Sequence, residues 1–140
     1  MSKLEWNINF MLGIQEIDEH HEHLFELLNF GYDKFEAGHN IGLLVVAELV
    51  DYTSYHFSSE EHWMVETNYP FIKEHKKEHD LFMERVSEFV DVLIHDKDNS
   101  LELLNFVSNW ITHHILETDS KFGLYLASHN TRRPKPLSSE

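Results

Sequence analysis

HKKEHDLFMERVSEFV, His75–Val90, decides how the rest of the chain is read. Phe71 ahead of it, then His75, His79, Phe82, Val86 and Phe89 within it, and Leu93 beyond it, recur every three or four residues. That is the period of an α-helix with one buried face. His75 and His79 are one turn apart on that face, so both imidazoles point the same way.

The same period recurs three more times. Ile17, His21, Leu24, Leu28 and Phe35 form a stripe, with Phe25 and Tyr32 beside it. Asp18 is a plausible N-cap for this helix, and Gly38, His39 and Asn40 end it. A second helix is expected from about Ile41 to Thr67, with Leu49, Tyr52, His56, Glu60 and Trp63 or Met64 on its inner face. Asn68-Tyr69-Pro70 breaks the pattern, and Pro70 suits the first turn of the third helix. After a polar turn from Asp96 to Ser100, the fourth helix starts at Leu101, capped by Asn99 or Ser100. It carries Leu104, Val107, Ile111, His114 and Ile115. Four helices of about 20 residues with short connections predict an all-α, up-down-up-down antiparallel four-helix bundle.

Residues 1–16 are read as an extended N-terminal arm. Trp6, Ile8, Phe10, Leu12 and Ile14 alternate as in a strand, but no partner strand follows, so the arm should lay apolar side chains on the helical body. The tail from Asn130 to Glu140 is polar and contains proline, and is expected to be frayed. Residues 1–140 are expected to form one domain.

Composition narrows the chemistry. Hydrophobic residues make up 41% of the chain, enough for a real core rather than disorder. No apolar run approaches the ~20 residues that span a bilayer, and the N-terminus lacks a signal-peptide pattern, so a cytoplasmic location is expected. With 25 acidic against 11 basic residues the net charge is −14, which argues against nucleic acid and anionic membranes as partners. Cysteine is absent. Disulfides, thiolate metal sites and thiol catalysis are therefore excluded, and any metal must be held by His, Asp or Glu.

In the antiparallel bundle the helical histidines fall at one end. His21 is near the start of the first helix, His56 past the middle of the second, His75 and His79 near the start of the third, and His114 late in the fourth. Glu60 follows His56 by one turn, and Asp119 follows His114 by five residues. Seven candidate metal ligands result: His21, His56, Glu60, His75, His79, His114 and Asp119. They are too many for one tetrahedral zinc and suit two ions with shared bridges. A donor set of N and O without sulfur suits iron among the redox metals. A single histidine on an apolar stripe is ordinarily a satisfied core residue. Five on converging stripes, with two carboxylates, are not explained that way. His20, His23, His39, His62, His95, His113 and His129 fall off the stripes and are read as surface residues. Tyr52, one turn before His56, is read as a packing residue.

The segments IDEHHEHLF (Ile17–Phe25), HFSSEE (His56–Glu61), HKKEH (His75–His79) and HILETD (His114–Asp119) stand in an order and at intervals that resemble the hemerythrin family, specifically its bacterial single-domain members. The resemblance runs from Trp6 to about Phe122. It implies a non-haem di-iron centre with an oxo or hydroxo bridge that binds O₂ reversibly, as a carrier or store rather than an enzyme. It implies one iron on His75, His79 and His114, and another on His21 and His56 with an open position. Glu60 and Asp119 then bridge both.

Charge agrees with that reading. Two ferrous ions with Glu60, Asp119 and a hydroxide keep a small positive excess, whereas the four carboxylates of ferritin-like di-iron sites neutralise the same ions. Fewer anionic ligands stabilise high oxidation states less. A dry pocket limits proton entry, and Ile111 and Ile115, flanking His114, either wall that pocket or are ordinary core. The same family scaffold also suits an O₂, redox or iron sensor working with a separate protein, or a di-iron oxidase or peroxidase-like enzyme. HKKEH also matches the HxxEH zinc-peptidase pattern, which leaves five of the seven residues without a role.

One local expectation is geometric. Five residues at ~100° each turn a side chain ~140° off the starting face. An ideal helix would point Asp119 away from whatever His114 binds. If both face one site, a π-type turn or a break must lie between them, and Gly123 just beyond could ease it. Otherwise Asp119 lies on the surface and Glu117 or water takes its place.

Overall fold

The structure is a computed structural model that describes residues 4–38, 43–95 and 99–128. Its helices are α1 (Gln15–Glu36), α2 (Leu43–Glu66), α3 (Ile72–His95), α4 (Ser100–His113) and α5 (Ser120–Ser128), with a six-residue π turn, His114–Asp119, joining α4 to α5. No strand occurs among the described residues. The fourth rod of the bundle is thus α4, the π turn and α5 together. α1 packs on α2 and α4, and α3 packs on α2 and α4, closing an antiparallel four-helix bundle. No helix of the described residues is long and apolar enough to cross a membrane. His39, Asn40, Ile41, Asp96, His129 and the tail from Asn130 fall outside the described residues.

Local chemistry sets the helix ends. α2 closes in a Schellman turn. Tyr69 N–H donates to Met64 O (3.0 Å), Asn68 N–H donates to Val65 O (3.2 Å), and Asn68 takes φ +55°. Asparagine tolerates that left-handed conformation, and the apolar residue after it packs back on the helix. Tyr69 does so against Met64 and Trp63. Pro70 then stands in a turn ahead of α3 instead of in its first turn, because α3 begins only at Ile72.

Asp18 is not the N-cap of α1. The helix starts earlier, with Ile14 in the cap position and no side-chain cap. From inside the first turn the Asp18 carboxylate instead accepts from the N–H groups of Leu12 (2.7 Å) and Gly13 (3.2 Å). Gly13 has φ +87°, which glycine adopts without strain. Further back, the Asn29 amide brackets Leu4, accepting from its N–H and donating to its C=O at 2.8 Å each. The arm is therefore hitched to α1 at both ends.

Between the hitches the arm is not fully extended. A 3-10 turn, Ile8–Phe10, interrupts it, capped by the Asn7 side chain on Asn9 N–H (2.9 Å). The turn breaks the alternation, so Ile8 is 80% exposed while Phe10 and Ile14 are buried. Trp6 and Phe10 close on Phe25 with ring centroids 5.2 and 4.9 Å away.

The interior divides in two. A large core runs through Leu24, Leu28, Tyr32, Leu49, Phe82, Val86, Leu103, Leu104 and Ile111. A smaller one gathers Ile14, Ile17, Trp63, Met64, Tyr69 and Phe122. Polar side chains separate them.

Candidate metal centre

The polar layer contains all seven residues singled out by pattern. His21, His56, His75, His79 and His114 are each at most 4% exposed, and Glu60 and Asp119 are 0% exposed. α1 supplies His21, α2 supplies His56 and Glu60, α3 supplies His75 and His79, and the π turn supplies His114 and Asp119.

The π turn explains the last pair. Ser120 N–H donates to Ile115 O, a bond spanning five residues. The wider turn swings Asp119 back toward the face it would leave in an α-helix. Asp119 Oδ1 lies 3.0 Å from His114 Nε2. Glu117 is exposed and takes no part. Gly123 lies in regular α5, beyond the π turn. A Cβ there would sit 3.2 Å from both Cβ and O of Leu12. The missing side chain makes room for the arm.

Five Nε2 atoms converge, and the two carboxylates divide them. Glu60 Oε1 lies 2.8 Å from His75 and 3.1 Å from His79, while its Oε2 faces His56 at 3.6 Å and His21 at 3.9 Å. Asp119 Oδ1 lies 2.9 Å from His75, and its Oδ2 lies 3.1 Å from His21. Each carboxylate thus turns one oxygen to a three-histidine group and the other to a two-histidine pair. Two overlapping sets of metal-capable donors follow: Glu60, His75, His79, His114 and Asp119, and His21, His56, Glu60 and Asp119.

Hydrogen bonds satisfy only part of that layer, as where His75 Nε2 meets Glu60 Oε1 at 2.8 Å. Glu60 Oε2 and both oxygens of Asp119 are buried without a hydrogen-bond partner, despite the nearby imidazoles. His21 Nε2 meets His56 Nε2 at 3.0 Å, and His79 Nε2 meets His114 Nε2 at 3.1 Å. Burying so many lone pairs face to face is costly unless a cation receives them. The donor set therefore fits a metal.

Electrostatics point the same way. Burial and Glu60 push the Asp119 carboxyl up, but His114 and His21 overcome both and hold it low. Burial pushes Glu60 up, and His75 with hydrogen bonds from the neighbouring imidazoles pulls it well below the usual carboxylate range. Burial would lower His75, but Glu60 and Asp119 lift it to about 9. Burial, then His21, keep His56 well below its usual value, hence neutral. Both carboxylates are anionic at neutral pH, as metal ligands must be, while His75, kept protonated by the same carboxylates, must release its proton to bind a metal.

Periodicity missed the residues around this layer. Glu61 accepts from His79 Nδ1 (2.8 Å), and Glu78 is 2.9 Å from His114 Nδ1 and accepts from the Thr118 hydroxyl at 2.9 Å. In the zinc-peptidase pattern Glu78 would be a free base, whereas here it orients an imidazole. Phe57 stacks on His79 (3.8 Å, 7°) and Trp110 on His114 (4.3 Å, 15°). His20 is not a surface residue. It is 8% exposed, with its Nδ1 3.0 Å from His56 Nδ1. His23 and His62 are half-buried, and His95 and His113 are exposed. Tyr52 packs, as expected, against His23 (4.4 Å) and Tyr55 (5.8 Å). Ile111 and Ile115 are buried in the large core beside His114. A carboxylate close to the histidines of the same helix, as in HFSSEE and HKKEH, is the available signal for Glu61 and Glu78.

The fold and this layer define a class: a helical bundle with a buried cluster able to hold metal between two apolar cores. The sequence model of the hemerythrin HHE cation binding domain matches residues 12–125. The chain belongs to the hemerythrin family. It is 36% identical to the bacteriohemerythrin of Clostridium acetobutylicum over 124 residues, covering 84% of this chain and 96% of that one. The bacteriohemerythrin of Stenotrophomonas maltophilia is 33% identical over 130 residues, 92% of this chain and 85% of that one. Among solved structures, a tyrosine-for-leucine mutant of hemerythrin superposes with a TM-score of 0.80 at 26% identity, covering 91% of this chain and 99% of that chain.

Proposed function

We propose that this protein binds O₂ reversibly at a di-iron centre, as an oxygen carrier or store and not as an enzyme. The observation that supports it most is the split of the two carboxylates. Glu60 and Asp119 each turn one oxygen to the three-histidine group and one to the two-histidine pair. That arrangement suits two ions joined by two bridges. His75, His79 and His114 with the two bridges give one ion five protein donors. His21 and His56 with the same bridges give the other four, one fewer than its neighbour. A protein that leaves one position open there has a place for a small ligand. Held by these residues, two ferrous ions would supply two electrons to O₂ and take them back on its release.

The chain's own residues do the rest. Ile111 and Ile115 are 2% and 1% exposed. As part of the pocket wall they exclude water and offer no proton, which hinders loss of reduced oxygen as hydrogen peroxide. Glu61 and Glu78 hold His79 and His114 by their outer nitrogens and fix their orientation. The buried layer carries two carboxylates for two ions, too few to favour high-valent chemistry. Membership of the family and the match to bacterial relatives support the same reading.

The test is an absorption spectrum followed through a cycle of oxygenation and removal of O₂ under inert gas, on protein loaded anaerobically with two ferrous ions per chain. Reversible appearance and loss of an oxygenated spectrum is expected. Oxidation of both irons within seconds, with no oxygenated species, would overturn the carrier reading and favour an oxidase or sensor.

A further inference from the structure

The imidazoles of the metal layer differ in what holds their outer nitrogen. His79 Nδ1 has the Glu61 carboxylate at 2.8 Å, and His114 Nδ1 has the Glu78 carboxylate at 2.9 Å. Both belong to the three-histidine group, whose third imidazole, His75, has its Nδ1 buried without a partner, so two of its three ligands are held this way. In the two-histidine pair no carboxylate plays this part. His21 Nδ1 is buried without a partner. His56 Nδ1 faces a second imidazole, His20 Nδ1, at 3.0 Å.

That contact fixes tautomers. For His56 to offer its Nε2 lone pair to a metal, its proton must sit on Nδ1. Nδ1–H then donates to His20 Nδ1, which must be the bare nitrogen of a neutral ring, so the His20 proton sits on Nε2. His20 is wedged between α1 and α2, edge-on to Tyr52 (5.8 Å) and tilted on Tyr55 (5.3 Å). It has little room to turn. A neutral nitrogen accepts a weaker hydrogen bond than a carboxylate does. An imidazole held by a carboxylate is the more basic ligand. His56 is then a weaker donor than His79 or His114.

We propose that His20 is a positioning residue that locks the metal-binding tautomer of His56. By doing so as a neutral group, it makes the metal position bounded by His21 and His56 the weaker and more exchangeable of the two. The inference rests on the two-metal reading above. It adds an order of loading. The three-histidine position fills first and holds its ion. The two-histidine position fills second, and it is the position with one donor fewer.

Anaerobic titration of the metal-free full chain with Co²⁺, followed by visible absorption and by calorimetry, tests this. Two resolved steps are expected. His20→Glu, which substitutes a carboxylate partner, should tighten the weaker step about 10-fold and leave the tighter step in place. His20→Gln keeps an acceptor and should stay near the parent protein. His20→Leu should loosen the weaker step about 10-fold. Glu78→Gln should loosen the tighter step instead. A merely structural role predicts that every His20 variant loosens binding, so tightening by His20→Glu discriminates. If His20→Glu behaves like His20→Leu, or if the weaker step ignores all three changes, the inference is overturned while two-metal binding stands. If circular dichroism shows that His20→Glu does not fold, the Gln and Leu pair decides, and equal weaker steps in those two overturn it. Saturation at one Co²⁺ per chain would remove the two-metal reading and this inference together.

Discussion

The large apolar core and the polar layer beside it are built from the same four stripes, yet they are held by opposite means. In the large core, Leu28, Leu49, Val86 and Leu104 are at most 2% exposed, and shape and lost water contact stabilise them without direction. In the layer, Glu60 and Asp119 are as deeply buried, yet three of their four oxygens lack a hydrogen-bond partner. Hydrophobic burial cannot stabilise that arrangement. The comparison teaches that one helical period can encode two kinds of interior, and that only side-chain chemistry tells them apart.

The largest expected effect comes from the layer itself. Asp119→Asn removes the anionic oxygens that face His75 and His114 on one side and His21 on the other. If the layer holds two ions as proposed, metal analysis should fall from two per chain to one or none, while helical content by circular dichroism is retained because both cores remain. If two ions stay bound, the layer is not held by its carboxylates.

Leu28→Ala attacks the large core instead. Leu28 is 0% exposed, and deleting such a side chain typically costs about 2–5 kcal/mol. Urea unfolding should show that loss, with metal content unchanged in the folded protein. If the same variant also emptied the metal layer, the two regions would be one cooperative unit and not two.

The arm gives a smaller contrast. Asp18 accepts two backbone N–H groups at 2.7 and 3.2 Å. Hydrogen bonds to an ionised group are worth about 1.5–3 kcal/mol. Asp18→Ala should cost stability on that scale and speed amide exchange at Leu12 and Gly13, with metal content again unchanged.

How much of this was legible differs between the regions for a physical reason. The stripes mark which way a side chain faces, so the bundle and the seven residues of the layer could be read from spacing and residue type, whereas the division of the interior into two cores could not. The turn through Asp119 could be read too, because ~140° is too large an error for a helix to absorb. His20 could not. It lies one residue off the stripe, at the seam where α1 meets α2, and periodicity does not say which flanking positions a neighbouring helix will cover. Glu61 and Glu78 escaped for the same reason: they look like solvated charge until the helix beside them is in place. Ile8 failed differently, because Asn7 capped a 3-10 turn and ended the alternation. Asp18 looked like a helix cap but is a clamp on the arm, a role visible only once the chain ahead of it is folded back.

The smallest effect separates two roles for Gly123. Pattern alone places it just beyond the π turn, as a residue to relax the backbone there. In the structure it sits in regular α5, and its missing Cβ leaves space for the backbone of Leu12. Gly123→Ala puts a carbon 3.2 Å from the carbonyl oxygen of Leu12, closer than ordinary contact, so the arm must shift. Overpacking of this kind typically costs about 1–3 kcal/mol. Alanine returns about 1 kcal/mol through helix propensity. The net loss should therefore be no more than about 2 kcal/mol, and it should appear with faster amide exchange in the arm. The two roles diverge at the metal. If Gly123 only makes room for the arm, Asp119 keeps its place and two ions stay bound. If it relaxes the π turn, the same substitution pulls Asp119 away from His75 and His114, and metal is lost before the arm loosens.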